Sequence, residues 1–175
     1  DRGSVMQLRI FKFLSVLLSV VTVCAAATTV LNAAQSREDA LSHTTEITVK
    51  QSEIATKGAF KAIQAALNAA RYSATKDNVY KIIVEPGSYD LRSALHIYSN
   101  TILSLNNVTL VRNKQAIANM IRTGDDTAAD KGETGYDYNS NISLEGGTLD
   151  GNGTSNTMVK VTHARDFRMT GTTLC

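Results

Sequence analysis

Apolar and polar positions follow two different rhythms along this chain. Between residues 60 and 70 the period is helical. Phe60, Ile63, Leu67 and Ala70 fall at i, i+3, i+7 and i+10, and Ala59, Ala62, Ala66 and Ala69 widen the stripe. The spacing predicts a helix over 60–70 with Thr56 as its N-cap, and the Asp77-Asn78 pair closes the connection that follows. After residue 80 the helical period vanishes, and short apolar runs alternate with Asn, Gly and Asp.

Those runs repeat. Ile142-Ser-Leu-Glu-Gly-Gly-Thr-Leu149 is matched 25 residues on by Phe167-Arg-Met-Thr-Gly-Thr-Thr-Leu174. It is matched 39 residues back by Leu103-Ser-Leu-Asn-Asn-Val-Thr-Leu110, and a further 21 back by Ile82-Ile-Val-Glu-Pro-Gly-Ser-Tyr89. Each copy reads apolar-x-apolar, a turn of Gly, Asn or Pro, then Ser or Thr and an apolar residue. Apolar-x-apolar is a strand with one face inward. Pro86-Gly87 and Asn106-Asn107 supply the turns, and the second half of the unit begins another short strand in a new direction. A unit this small buries its apolar face only by stacking on copies of itself. Steps of 21 and 25 fit one coil of about three short strands. The step of 39 fits one coil with an excursion, for which the polar stretch Thr123–Asn139 is the candidate. A β-sandwich has no reason to repeat one eight-residue unit in register, and the Leu/Asn consensus of leucine-rich repeats is absent. The predicted fold is an all-β solenoid: the N-terminal coils of a right-handed parallel β-helix, with an N-terminal capping α-helix over the open edge of the first coil.

The N-terminus has its own pattern. Arg9 and Lys12 precede the apolar run Phe13–Val23, and Ala25-Ala26-Ala27 follows it, the three parts of a secretion signal. No charge lies between Lys12 and Arg37, so a membrane anchor is the competing reading; the Ser and Thr residues make the span only weakly hydrophobic. Residues 1–27 are therefore expected to be an upstream scar plus signal, 28–55 a lead-in or linker, and 56–175 a β-helix domain truncated at its C-terminus, since Leu174-Cys175 falls inside the last repeat. The protein is expected to be secreted or held at the cell surface as a monomer, touching membrane only through the signal segment.

Charge and cysteine change the picture little. Of 18 Lys+Arg and 16 Asp+Glu, Arg2, Arg9, Lys12 and Asp1 lie at the extreme N-terminus, leaving 15 against 15. A neutral body without a basic run gives no reason to expect nucleic acid. The two cysteines, Cys24 in the signal and Cys175 at the end, build no disulfide framework.

At this point two stretches resemble a known family. Ala59-Phe-Lys-Ala-Ile-Gln-Ala-Ala-Leu67 and Ile83-Val-Glu-Pro-Gly-Ser-Tyr89 are similar to the opening of the pectate-lyase-like β-helix superfamily. That opening pairs an AIQ-A-L helix with a PxGxY strand-turn. Leu95–Thr101 continues the likeness, and Gly146-Gly-Thr-Leu-Asp-Gly-Asn-Gly153 resembles a turn found early in polygalacturonase-like members, the family 28 type of glycoside hydrolase. The resemblance covers residues 56–175, and departs from it where Ala55-Thr-Lys-Gly58 lacks an Asp. It implies an exported protein that handles polysaccharide along the flank of the helix, as a pectin-type hydrolase or lyase. A non-catalytic adhesive β-helix is the alternative. No cofactor is implied, with Ca2+ entering only for a lyase. The acid and base of an inverting hydrolase lie several coils later in the polygalacturonases, so no catalytic residue is carried over onto this chain.

The remaining chemistry has two readings at each place. Asp150 and Asn152, in Leu-Asp-Gly-Asn-Gly, are candidate substrate-binding groups in a groove, Asp150 also a candidate calcium ligand, or else turn formers bonding their own backbone. His163 and Arg165 follow the strand Met158–Val161 and are candidate contacts for an acidic sugar, or outward turn residues. Asp125, Asp126, Asp130, Glu133 and Asp137 crowd the excursion with Tyr136 and Tyr138, as a carbohydrate- or calcium-binding loop or a solvated acidic insertion. His43 and His96 belong to no constellation. Asn107, Asn141 and Asn152 begin glycosylation sequons that a repeat rich in Asn and Thr generates by chance.

Overall fold

The computed structural model describes residues 43–113, 117–125, 138–154 and 156–175. The expected signal, residues 28–42 of the expected lead-in and most of the excursion lie outside them. Among the described residues no helix is long and apolar enough to cross a membrane. Thr44–Cys175 forms one compact unit, mostly β-strands in parallel sheets with two helices near its start.

Strand β1 (Thr44–Val49) leads into helices α1 (Gln51–Lys57) and α2 (Ala59–Ser73). Then come β2 (Val79–Val84), β3 (Gly87–Leu91), β4 (Leu95–Ile97), β5 (Thr101–Ser104), β6 (Val108–Arg112) and β7 (Ile121–Thr123). The chain closes with β8 (Asn139–Glu145), β9 (Thr148–Asp150), β10 (Val159–Lys160), β11 (Ala164–Thr170) and β12 (Thr173–Leu174). From β2 onward the chain visits three sheets in fixed rotation. The first is ordered β1-β2-β5-β8-β11, the second β3-β6-β9-β12 and the third β4-β7-β10. Each pair of these strands is parallel, and from β2 onward the partners lie one circuit apart.

The inward positions stack like on like. Ile82, Leu103 and Leu144 pair in register in the first sheet and Leu110 and Leu149 in the second, all fully buried. In the third, Leu95 faces Ile121, which faces Val159. Each coil thus covers the apolar face of its neighbour, as the repeat demanded. Along the last strands that cover thins, and Met169 and Leu174 are 41% and 46% exposed.

Turns repeat as well. Asn100 and Asn141 occupy the same place in successive coils, followed by Asp166, with φ of 57°, 56° and 54°. The left-handed region is where Asn and Asp are tolerated best among non-glycine residues. Asn141 also donates its amide to Asn100 Oδ1 at 3.2 Å. Two of the sequons, Asn107 (φ 60°) and Asn152 (φ 52°), are likewise turn residues.

The structure departs from expectation in three places. The segment read as linker holds β1, which pairs along its whole length with β2 from Thr44↔Val79 to Val49↔Val84, so the domain begins at Thr44. TTEITV is a strand in composition, but only tertiary pairing distinguishes it from polar coil. Second, Thr56 is not the cap of the long helix. It lies within α1 and donates its hydroxyl to Ser52 O at 2.8 Å, while the N-cap of α2 is Gly58. The buried stripe of α2 is Ala59, Ala62, Ile63, Ala66, Leu67 and Ala70; Phe60 and Ala69 fall at or beyond its margin. Third, the step between the second and third repeats is not uniform. In the second sheet Thr109 faces Thr148, a step of 39, but in the first Leu103 faces Leu144, a step of 41. The turn Gly146-Gly147 is two residues shorter than Leu105–Val108, and a slip of two leaves inward residues inward.

Candidate functional site

The described residues gather titratable groups most densely at the corner where the third sheet hands over to the first. Arg71 arrives on the last turn of α2. Tyr98 follows β4, and Asp125 follows β7 after Gly124. Parallel pairing sets Ile97 against Thr123, and Gly124 N–H donates to Ile97 O at 2.9 Å. The residues just past both strands therefore meet.

Tyr98 donates its hydroxyl to Asp125 Oδ1 at 2.6 Å. Arg71 grips the same carboxylate with both terminal nitrogens, Nη1 to Oδ1 at 3.1 Å and Nη2 to Oδ2, the fork geometry that makes such pairs strong. Its guanidinium lies over the Tyr98 ring, 4.4 Å from the centroid. Arg122 Nη2 donates to the Asp125 carbonyl at 2.9 Å, and His96 Nδ1 stands 3.9 Å from Asp125 Oδ1. The expectation that His96 belongs to no constellation is thereby corrected. An outward residue on a three-residue strand gains partners only when other elements are laid beside it.

Electrostatics fix what this cluster does. Burial pulls the Asp125 carboxyl upward, but the hydrogen bonds from Tyr98 and Arg71, with the Arg71 charge and His96, outweigh it and hold the group below its ordinary value. Burial, the bond to Asp125 and its charge push Tyr98 well above the usual phenol range. Arg71 is raised too: burial works against its charge, and the bond to Asp125 with the neighbouring Tyr98 and Asp125 prevails. A proton-transfer group works best with its pKa near the operating pH. These groups are driven away from it, so the cluster acts as an ionic clasp that pins Asp125, near the start of the excursion, to α2.

The sign of its pH dependence follows. A depressed folded pKa means that the Asp125 contribution is complete above the unfolded value of about 3.9 and is lost as pH falls through the lower folded value. Asp125→Asn should lower the urea midpoint at neutral pH and show a smaller further drop between about pH 5 and pH 3. Parallel acid profiles for the two proteins would count against the clasp.

The four residues singled out by sequence fall in two places, before and after β10. Asp150 accepts the Asn152 N–H at 2.7 Å, and the Asn152 amide donates to Arg112 O at 3.0 Å, so both are engaged in building a turn. Arg112 itself points inward from β6, 1% exposed. It donates Nη2 to Thr157 O, while Nε and Nη1 have no partner among the described residues. His163 takes a left-handed φ of 47°, and its carbonyl accepts the Asn139 N–H at 3.0 Å. It thus stands where the excursion returns, at the same corner as Asp125. Arg165 lies beside Asp166, 3.9 Å away and largely exposed. Of the acidic and tyrosine residues of the excursion only Asp125 and Tyr138 are described; Asp126, Asp130, Glu133, Tyr136 and Asp137 lie outside. Among the described residues no group of three His, Cys, Asp or Glu side chains is placed to hold a metal.

Arg71 and Tyr98 were missed by sequence reasoning. The available signal was weak: a basic residue in the last turn of a helix that lacks other charges nearby, and an aromatic directly after a strand. Compared with protein-family models, curated proteins and solved structures, the chain matches none of them.

Proposed function

We propose that this chain belongs to an exported, monomeric, carbohydrate-active protein, folded as a right-handed parallel β-helix and acting as a pectin-type polysaccharide hydrolase or lyase. The observation that carries the reading is the rotation of the chain through three parallel sheets beneath α2, with the motifs of the resemblance at its structural joints. Consecutive strands of one sheet are joined by crossovers through the other two, and crossovers between parallel strands are right-handed in about 98% of cases. The Pro86-Gly-Ser-Tyr89 turn has a physical basis. Tyr89 donates its hydroxyl to Glu85 O and Pro86 O at 2.9 and 3.1 Å, folding its ring over Gly87, where a Cβ would lie 2.5 Å from that hydroxyl. Stacked parallel strands offer a straight wall with side chains recurring at about 4.8 Å, a surface suited to a polymer.

The test is to incubate the full-length protein, the form in which catalytic groups are expected, with a panel of pectic and other polysaccharides. New reducing ends report hydrolysis, unsaturated products report a lyase, and retardation in polysaccharide-containing gels reports binding. Cleavage is expected, abolished by calcium chelation in the lyase case alone. Binding without cleavage favours the adhesive alternative; neither binding nor cleavage overturns the carbohydrate reading.

A further inference from the structure

A second feature lies away from the corner cluster, where α1, the Gly58 kink and the start of α2 face β3. A cleft of about 850 Å³ opens there, within the range of small-molecule sites, about 300–1,000 Å³. Its walls carry three cations, Lys57, Lys61 and Arg92, against one carboxylate, Asp90. Lys57 is already paired with Glu53 at 2.7 Å. Among the described residues Lys61 and Arg92 have no hydrogen-bond or ion-pair partner.

The cleft also has an apolar side. Phe60 and Tyr89 line it, both half-buried and packed on the core. The bonds from the Tyr89 hydroxyl to Glu85 O and Pro86 O hold its ring in place. At Gly58 an added Cβ would meet no atom within 4 Å, so the backbone there borders open space. The first turn of α2 has neither an acidic residue nor a side-chain cap, so no carboxylate of its own offsets Lys61 there.

We propose that this cleft binds a small ring compound bearing one phosphate or sulfate ester, with the oxyanion met by Lys61 and Arg92 and the ring lying against Phe60 and Tyr89. Arginine's planar fork suits a tetrahedral oxyanion, and such a group carries enough charge to engage two cations together. Asp90 disfavours a second anionic group on the same ligand. The site stands on the helical cap and does not rest on the polysaccharide reading.

The probes are glucose 6-phosphate, glucose 6-sulfate, glucuronate and glucose, titrated against the full chain while the amide resonances of Gly58, Phe60 and Lys61 are followed. At least one ester should saturate these shifts with a Kd at or below about 1 mM, and the ester that does so identifies the source. Arg92→Ala and Lys61→Ala should each weaken it about tenfold, and Arg92→Lys less. Lys50→Ala, outside the cleft, should leave it unchanged. All are surface substitutions, and an unchanged melting curve confirms the fold. The proposal fails if neither ester saturates, if glucose or glucuronate binds as well as the esters, or if Lys50→Ala weakens binding as much as Arg92→Ala.

Discussion

Replacing Gly147 by alanine is expected to destabilise the domain by about 2–5 kcal/mol. Two causes add. Gly147 has φ 77°, and a side chain in the left-handed region costs about 1–2 kcal/mol. A Cβ there would also lie 2.6 Å from both Leu105 Cβ and Leu105 O, and 3.0 Å from Val108 O. Those atoms belong to the turn of the preceding coil and are mostly backbone, so they yield poorly; overpacking of this kind costs about 1–3 kcal/mol more. Gly153 is the control. Its φ of 68° is similar, but a Cβ would meet nothing within 4 Å, so Gly153→Ala should lose the conformational part alone, about 1–2 kcal/mol. Urea denaturation of the two variants separates backbone strain from the clash between coils. Equal losses would mean that the coils do not approach as closely as described.

Gln64→Leu should cost roughly 2–4 kcal/mol, because one side chain stands in for a missing strand. β4 is the outermost strand of the third sheet on the side of α2. Gln64 Oε1 accepts the His96 N–H at 2.9 Å, and Nε2 donates to His96 O at 3.2 Å, giving the edge both bonds that a neighbouring strand would give. Leucine fills the space and supplies neither. Each group left without a partner costs about 1–3 kcal/mol, and half-burial holds the sum below the maximum. Gln64→Glu keeps the acceptor and loses the donor, so about half the effect is expected. Hydrogen exchange at the His96 amide should accelerate in Gln64→Leu well beyond the change in global stability. Unaltered protection there would show that the helix, and not this side chain, seals the edge.

The sequence made the repeating unit legible because its signal is local. Apolar-x-apolar followed by a turn recurs at 82, 103, 142 and 167, and the parallel pairs Ile82↔Leu103 and Ile142↔Phe167 fall where that spacing put them. The helix was legible for the same reason, as a stripe of small and branched apolar residues. β1 was not, since Thr44–Val49 carries no turn motif and only partial alternation. The two-residue slip at Gly146-Gly147 was hidden because a shift of two preserves which side chains face inward.

The candidate sites divide along the same line. Asp150 and Asn152 are sequence neighbours, and their turn is a local bond that an Asp-Gly-Asn-Gly run suggests by itself. Arg71, Tyr98 and Asp125 span 54 residues, and no pattern within one element links them. The sequence by itself determined the long helix and the repeating strand unit, because both depend on side chains a few positions apart. Only the tertiary structure decided which residues share a corner. Parallel strands bring together positions one circuit apart, and α2 adds a third element whose register no repeat encodes.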